Sequence, residues 1–509
     1  MDNMNFTPDQ LNELRTELGL LDRASMQKSL TGYGGYNLVS PAVLLQPWVA
    51  PFRASLPTTK PDVGADYDTW KVQVGFGLDF STAFGVAKGA VGPENVLEAT
   101  PFKANFATAA IYGSVAQEDV DKALGYDDAL SVQSTSNIGS IQRLDELMCL
   151  GGDYDGIAAV ASGTAVKGGS GTYTAPTHYW VTALTLQGIL ANSQGLVATP
   201  DSNVCVGESD LFAVDMTNAS SGSTAYDLIS WPYVPGAMGY KLYAGVNAGA
   251  AKLVPLSQMF YASDGAAVTS SVGGCFIGMT AVRVVYNAAT ATVAKVPPSS
   301  NGTANPLTFN GAWAWCTKQN VYGVDFSSNA VTGATAPNVI DMNGMSLTAQ
   351  GAGIAELDQI LYNCYSPWKA SPTRILTSPL GKANISNLLI AGGQYVYRQE
   401  LNDQSAFTGA FYVGDYLNKF ASSIPGQPAT IPIWGHPDIP DGNFMFIADR
   451  IPYATAREAE AFKLSVMRPY SYFPVAATSR IYPFVTQFSE TLRCQHPYIQ
   501  GAIVGARVS

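Results

Sequence analysis

Tyr179-Trp-Val-Thr-Ala-Leu-Thr185 and Gly239-Tyr-Lys-Leu-Tyr-Ala-Gly245 alternate apolar with small or polar residues, the two-residue period of a half-buried strand. Between Ala161 and Asn310 there are six Asp or Glu and five Lys or Arg, eleven charges in 150 residues. Globular sequence carries about 25% charged residues. Turn-forming runs, Gly168-Gly-Ser-Gly and Pro297-Pro-Ser-Ser-Asn-Gly, punctuate the two ends of this stretch. Helical periodicity lies on both sides of it and not inside. Residues 163–307 therefore read as an all-β sandwich inserted into a host that carries the helices, an α+β arrangement. A host that takes a whole module into one connection has surface available for display. That points to architecture more than to catalysis.

The 509-residue chain is long enough for two or three domains, and 47% hydrophobic residues with 26 Tyr exclude a disordered chain. Only 13% of residues are charged, so neutral polar and apolar groups must cover much of the surface. A lone monomer with that coat would be poorly soluble; burial against other subunits resolves the problem. The net charge of −11, without a run of five basic residues, argues against gripping nucleic acid through a basic field. The six cysteines, Cys149, Cys205, Cys275, Cys316, Cys364 and Cys494, are scattered without a C-x-x-C, which argues against zinc and for a reducing place of synthesis. Cys149 and Cys364 fall on expected helix faces and read as small buried hydrophobes. Met1-Asp-Asn-Met-Asn-Phe lacks the basic and apolar regions of a secretory signal. No apolar run reaches the ~18 residues that cross a bilayer.

Outward from the insert, the host reads as follows. Thr7, Pro8 and Gln10 start a helix whose Leu11, Leu14 and Leu18 share one face. Residues 32–61 are Gly/Pro-rich and extended, an arm lying over something else. Tyr67-Asp-Thr-Trp-Lys-Val-Gln-Val and Phe106-Ala-Thr-Ala-Ala-Ile-Tyr-Gly-Ser-Val alternate, so they are expected to pair as a hairpin with a broad tip over 77–104. Such a hairpin is marginal alone and should lean on a neighbour. Gln117 to Leu150 is expected as one long helix, with Ile138, Ile141, Leu144, Leu147 and Met148 at helical spacing and Gly151-Gly152 as the stop. A second helix is expected over Gly353–Tyr365, with Ile354, Leu357, Leu361 and Cys364 on one side and Ser366-Pro367 ending it. Thr373 to Leu380 reads as extended and Ile385 to Ile390 as a further apolar segment. The tail carries a helix over Ala456–Met467 and a closing strand over Ile499–Val508.

The residues nominate no catalytic group, no cofactor-binding group and no metal ligand. His436-x-Asp438-x-x-Asp441 has possible ligand types, but Pro437, Pro440 and Gly442 make it a turn. His178 and His496 stand without a Ser or Cys partner. Leu380-Gly-Lys-Ala fails as a phosphate loop because Leu376 and Ala383 replace its required residues, and Glu356 spoils Gly351-Ala-Gly353 as a dinucleotide fingerprint. Asp127 with Asp128, and Asp153 with Asp155, read as solvated helix ends.

Arm, hairpin, long helix, insert, second helix and closing strands, in that order, resemble a tailed-bacteriophage major capsid protein, whose shell fold is shared with encapsulins and herpesvirus capsid floors. The local likeness lies in Gly353-Ile-Ala-Glu-Leu-Asp-Gln-Ile-Leu-Tyr leading to Arg374-Ile-Leu-Thr-Ser-Pro-Leu, and in Leu492-Arg-Cys-Gln-His-Pro-Tyr-Ile-Gln-Gly-Ala. The resemblance implies an N-terminal helix and arm over 1–65, an extended hairpin loop over 66–116 and a peripheral domain with spine helix over 117–162. It places an axial domain over 308–450 and strands returning to both domains over 451–509. Within the insert, Ile229-Ser-Trp231, Pro235-Gly-Ala237 and Tyr240-Lys-Leu-Tyr243 resemble an immunoglobulin- or fibronectin-like sandwich, a module that serves for adhesion, sugar binding or decoration, or as a plain spacer. Implied further are self-assembly through hexamers and pentamers into an icosahedral shell, a virion location after assembly in the host cytoplasm, and enclosed double-stranded DNA. Scaffolding, portal and decoration proteins are the implied partners, with no membrane and no cofactor. Some members crosslink a hairpin lysine, for which Lys88 or Lys103 is placed, but no Asn or acid is marked, so a non-covalent shell is expected. About sixty residues precede the hairpin, which favours a separate scaffold protein. Two other readings stand beside this one: a β-rich tail-fibre or adhesin-type binding protein, and an extracellular hydrolase with an accessory sandwich.

Overall fold

The computed structural model describes residues 50–61, 66–77, 88–91, 96–123, 129–168, 178–193, 207–215, 226–248, 251–268, 278–285, 298, 300–327, 335–351, 353–391, 414–420, 429–451, 459–476 and 480–508. The helix expected over residues 7–18, the arm up to residue 49, half of the hairpin tip, Asp127, Asp128, Cys205 and Cys275 lie outside them. The chain divides into two compact units. The smaller, in its described residues, is built from Ala110–Arg143 and Tyr470–Gln487; the larger comprises Ala50–Ala109, Leu144–Pro469 and Phe488–Ser509.

The host begins with a strap: a short helix α1 (Pro51–Ser55), started by Pro51, and strand β1 (Thr58–Thr59). Strand β2 (Tyr67–Gly77) pairs antiparallel with β3 (Val96–Asn105), from Tyr67 opposite Asn105 to Gly77 opposite Val96. The partner of the first hairpin arm is thus not residues 106–115 but the run assigned to the tip. Pro101 disguised it, because proline argues against a central strand; in a two-stranded ribbon every position is an edge, and Pro101 sits opposite Lys71 at no cost to a third strand. The expected second arm is β4 (Ala107–Ala116), which joins a different sheet, ordered β1-β18-β19-β4 with the long strands β18 (Phe462–Pro474) and β19 (Ile481–Cys494). Strand β18 replaces much of the helix expected over 456–467. Phe462 and Leu464 are buried with Lys463 half-exposed between them, so the two-residue period prevails. The long helix is in fact two, α2 (Gln117–Ala123) and α3 (Ala129–Gly151).

Residues of the insert form two four-stranded sheets. Strands β5 (Thr164–Gly168), β6 (His178–Leu184), β7 (Phe212–Asp215), β8 (Tyr226–Ser230), β9 (Gly239–Gly245), β10 (Lys252–Leu253), β11 (Met259–Tyr261) and β12 (Ala281–Val284) pair antiparallel in the orders β10-β9-β6-β7 and β11-β12-β8-β5. One core joins the sheets: Tyr179, Val181 and Leu242 from the first meet Ile229, Met259 and Val282 from the second. Alternation along β6 and β9 puts these side chains on one face. The core also takes in Ile157 and Val160, ahead of the turn signals that punctuate the sequence. The opposite face of β6 is covered as well, with Trp180 packed among Tyr243, Ala251 and Leu253. Helix α4 (Leu186–Ser193) follows directly.

Beyond the insert, α5 (Ala312–Thr317) is buried along its whole length. Strands β13 (Asn338–Asp341), β14 (Arg374–Thr377), β15 (Asp415–Leu417), β16 (Thr430–Gly435), β17 (Phe444–Ile447) and β20 (Gly501–Val504) make a mixed sheet ordered β13-β20-β17-β14-β16-β15. The expected closing strand over 499–508 contracts to β20 because Pro497–Ile499 form a 3₁₀ turn. Helix α6 (Ala355–Trp368) buries Leu357, Ile360, Leu361 and Cys364 in the core beside this sheet, and runs through Pro367 to a left-handed Lys369 at its C-terminus. The apolar segment at 385–390 belongs to helix α7 (Pro379–Ala391).

Candidate functional site

The ribbon β2–β3 has a firm base. Trp70 and Phe102, from opposed positions on its two strands, stack with centroids 5.7 Å apart, and Trp315 of α5 lies 5.6 Å from Phe102. The Trp70 indole N–H donates to the carbonyl of Cys494 at 2.8 Å, and Arg493 Nε lies 2.8 Å from Asp68 Oδ2. Burying the three rings stabilises this corner by roughly 1.5–3 kcal/mol each. Lys103 sits 3.8 Å over the exposed Tyr67 ring, so this candidate crosslinking lysine is already engaged with an aromatic face. Among the described residues no third strand pairs with either arm of the ribbon. A two-stranded ribbon of this length is marginal in water.

The smaller unit carries an apolar surface. Tyr472, Phe473, Val475, Ile481 and Tyr482, around the turn between β18 and β19, are each at least 40% exposed, and Tyr112 on β4 is 61% exposed. On α3 the buried positions are Asn137, Ile141, Asp145, Glu146 and Met148 through Gly151, while Ile138 and Leu144 point outward. The apolar stripe anticipated on this helix is therefore rotated by about one residue, and the buried face takes in polar and acidic side chains. Within the smaller unit, Gly113 admits no Cβ, since Asn137 and Phe484 fill that space.

The densest group of buried charge surrounds the strap. Arg53 Nε donates to Asp145 Oδ2 at 3.0 Å, and its Nη2 donates to Glu490 Oε2 at 3.1 Å. The other oxygens of the two acids face Cys149 Sγ, at 3.5 Å from Asp145 Oδ1 and 4.0 Å from Glu490 Oε1. Glu146 accepts the backbone N–H groups of Phe52 and Arg53 at 2.9 and 2.7 Å, and its Oε1 lies 2.9 Å from His436 Nε2. Burial, then the hydrogen bond and charge of Asp145, push Glu490 up to about 9. Burial first, and then Asp145 and Glu490, likewise raise the Cys149 thiol. Asp145, Cys149 and Glu490 lie close together, but the Arg53 guanidinium already holds the cation's place, which makes this an ion-pair group.

His436 does sit in a turn: its carbonyl accepts the Ile439 N–H and its Nδ1 accepts the Asp438 N–H. The partner of its Nε2 is Glu146, 290 positions away, not Asp441. Burial pushes His496 down to about 4, which leaves it neutral against Trp368. The reading of Asp153 as a solvated end is overturned, while Asp155 is exposed as expected. Asp153 is buried, with Lys318 Nζ 2.5 Å from Oδ1, and burial raises it despite that cation. Asp155 accepts from Asn310 Nδ2 at 2.7 Å and from the Tyr322 N–H at 2.8 Å. Gly151-Gly152 does end α3, and the Gly152 carbonyl accepts the Gly311 N–H, which brings the chain entering α5 against this acid pair. A further buried pair in the insert also escaped notice: Lys241 Nζ lies 2.5 Å from Glu208 Oε2, and the hydroxyls of Thr182 and Tyr243 donate to Oε1 at 2.6 and 2.7 Å. One signal for the strap group was available: Asp145 lies four residues from both Ile141 and Cys149, on the same helical face.

No protein-family model matches this chain, and no curated protein matches it. Solved structures do resemble it along most of its length. The capsid of a native GTA particle matches with a TM-score of 0.39 and 7% identity, covering 93% of this chain and 96% of that one. The holo-SrpI encapsulin complex from Synechococcus elongatus PCC 7942 matches with a TM-score of 0.37 and 7% identity, covering 96% and 97%. The capsid asymmetric unit of Cyanophage A-1(L) matches with a TM-score of 0.38 and 10% identity, covering 93% and 96%. These scores lie below 0.5, so the functional reading rests on the chain's own geometry.

Proposed function

We propose that this chain is a major capsid protein of the tailed-phage type, a tile that assembles with copies of itself through hexamers and pentamers into an icosahedral shell around double-stranded DNA. The observation that carries the reading is the ribbon β2–β3, anchored by Trp70 and Phe102 at its base and without a third strand among the described residues. A neighbouring copy supplies the support that a two-stranded ribbon lacks. Heterologous contacts of this kind close into rings. The exposed apolar surface around Tyr472 and Tyr482 and the low charge of the whole chain fit a molecule whose surface is covered on assembly. The insert, residues 163–307, is proposed to face outward; scaffolding, portal and decoration proteins are the proposed further partners, and the virion the proposed location. An adhesin built from β modules has no place for a long helix, and α3, with 23 residues, counts against that reading.

The test is direct. The purified chain should form particles of high mass by light scattering and closed shells in negative stain. Deleting residues 78–95 and joining Gly77 to Val96, which face each other across the ladder, through an Asn-Gly turn should leave folded subunits that no longer assemble. An intact chain that stays monomeric at high concentration sinks the reading.

A further inference from the structure

The insert meets the host at one end of the mixed sheet, where β13 and β20 finish and β17 begins. At a first joint, the turn between β8 and β9 enters the host. The Gly236 carbonyl accepts the indole N–H of Trp313 on α5 at 3.0 Å, and the Met238 carbonyl accepts Asn443 Nδ2 at 3.2 Å. Trp313, Met238 and Asn443 are each at most 3% exposed. Gly236 takes a φ of +90°, and a Cβ there would lie 2.5 Å from Lys318 Cε and 2.7 Å from Ile157 Cγ2, so the turn reaches the host only with glycine. At a second joint, Thr280 Oγ1 donates to Asp341 Oδ2 at 2.9 Å, and the Arg507 guanidinium lies 4.4 Å over the Tyr261 ring while pairing with Asp264. The two crossings of the chain are tied as well. Ile157, on the way in, donates its N–H to Thr303 Oγ1 at 2.9 Å and accepts Asn301 Nδ2, on the way out, at 2.8 Å.

We propose that the insert serves the host as a brace: it docks rigidly on this end of the mixed sheet, holds α5 and the sheet in place, and unfolds together with them as one cooperative body. This does not depend on what the chain assembles into. Relative motion is the default for domains joined by linkers and a small polar interface. Here the joints are buried, and each side completes the other. The Trp313 N–H finds its acceptor only in the insert's turn, and withdrawing that turn would leave a buried donor without a partner or bring the ring into water. Ile157 belongs to the insert's core and also touches the Gly236 turn, so the entering chain is part of the same packing.

Hydrogen exchange on the full chain at one pH tests the brace. Inside the insert, the Val254 amide donates to the Leu242 carbonyl and the Val268 amide to that of Met259. In the host beside the joints, the amides of Lys318, Met342 and Ala506 donate to the carbonyls of Ala314, Val504 and Gly442. Ile229→Ala hollows the insert's core without removing a joint residue. It should cut the protection of both sets of amides by a similar factor, roughly thirtyfold or more. Val282→Ala, a smaller lesion in the same core, stands in if the first variant does not fold. In the other direction, Trp313→Phe keeps a ring and removes the N–H that binds Gly236; it should speed exchange at Val254 and Val268 by roughly two- to tenfold. Loss confined to the insert's amides in the core variant, with the host amides exchanging as in the native chain, would overturn the proposal. So would Val254 and Val268 amides indifferent to Trp313→Phe.

Discussion

The insert and the host each bury a cluster of charge, and they balance it differently. In the insert, one acid, Glu208, meets one base, Lys241, and the hydroxyls of Thr182 and Tyr243 occupy its other oxygen. Both oxygens of Glu208 have donors, and Lys241 carries the opposite charge. Around the strap, Asp145, Glu146 and Glu490 face Arg53 and His436, and the inner pair of acids shares one guanidinium. In the second group, burial and then Asp145 push Glu490 up to about 9. Burial alone therefore says little about how a charged group responds to its surroundings. The count of partners decides it.

Breaking the insert's pair should have the largest effect. Lys241→Met leaves Glu208 buried and unpaired, and should destabilise the insert by about 3–5 kcal/mol, seen as a lower midpoint in thermal or urea denaturation. Adding Glu208→Gln should recover most of that loss; if it recovers none, the pair is not what holds the outer face of β6. Arg53→Met should cost less, about 1–3 kcal/mol at pH 8, the range for hydrogen bonds to a charged group. Its size with pH separates the two regions: Arg53 favours the ionised form of Glu490, which burial and Asp145 hold up to about 9, so the loss should be larger at about pH 9.5 than at pH 8. Equal losses at the two values would erase the distinction drawn here. The smallest effect belongs to the surface. Lys463 lies 3.3 Å from the exposed Glu460, and Lys463→Ala should change stability by no more than about 0.5 kcal/mol, less still at high salt.

Local periodicity was legible where one face of an element meets a core. Leu357, Leu361 and Cys364 are buried as their spacing requires, and Tyr179, Val181, Tyr240 and Leu242 line the insert's core as alternation requires. Pairing was not legible. Residues 96–105 and 107–116 both alternate, and nothing local reveals that the first pairs with β2 and the second with β19. The long helix shows a subtler failure: its apolar residues suggested a face through Ile138 and Leu144, yet the buried face runs through Asn137, Ile141, Asp145 and Cys149. Hydrophobicity finds a helix more securely than it finds which side turns inward, because buried acids with partners compete for the interior. Asp145 hinted at a buried acid, but the strap group as a whole was not legible because its members come from positions 53, 145, 146, 149, 436 and 490.

From the order of residues alone follow the sparse ionic coat, the uncharged middle with its alternating strands, and the amphipathic turn of α6, since each is a property of neighbours a few positions apart. Only the folded chain decided that Pro101 lies in a ribbon, that Asp153 is buried against Lys318, and that two carboxyls converge on Arg53. The free energy of pairing a strand or removing an acid from water depends on groups hundreds of residues away, and those distances close only in three dimensions.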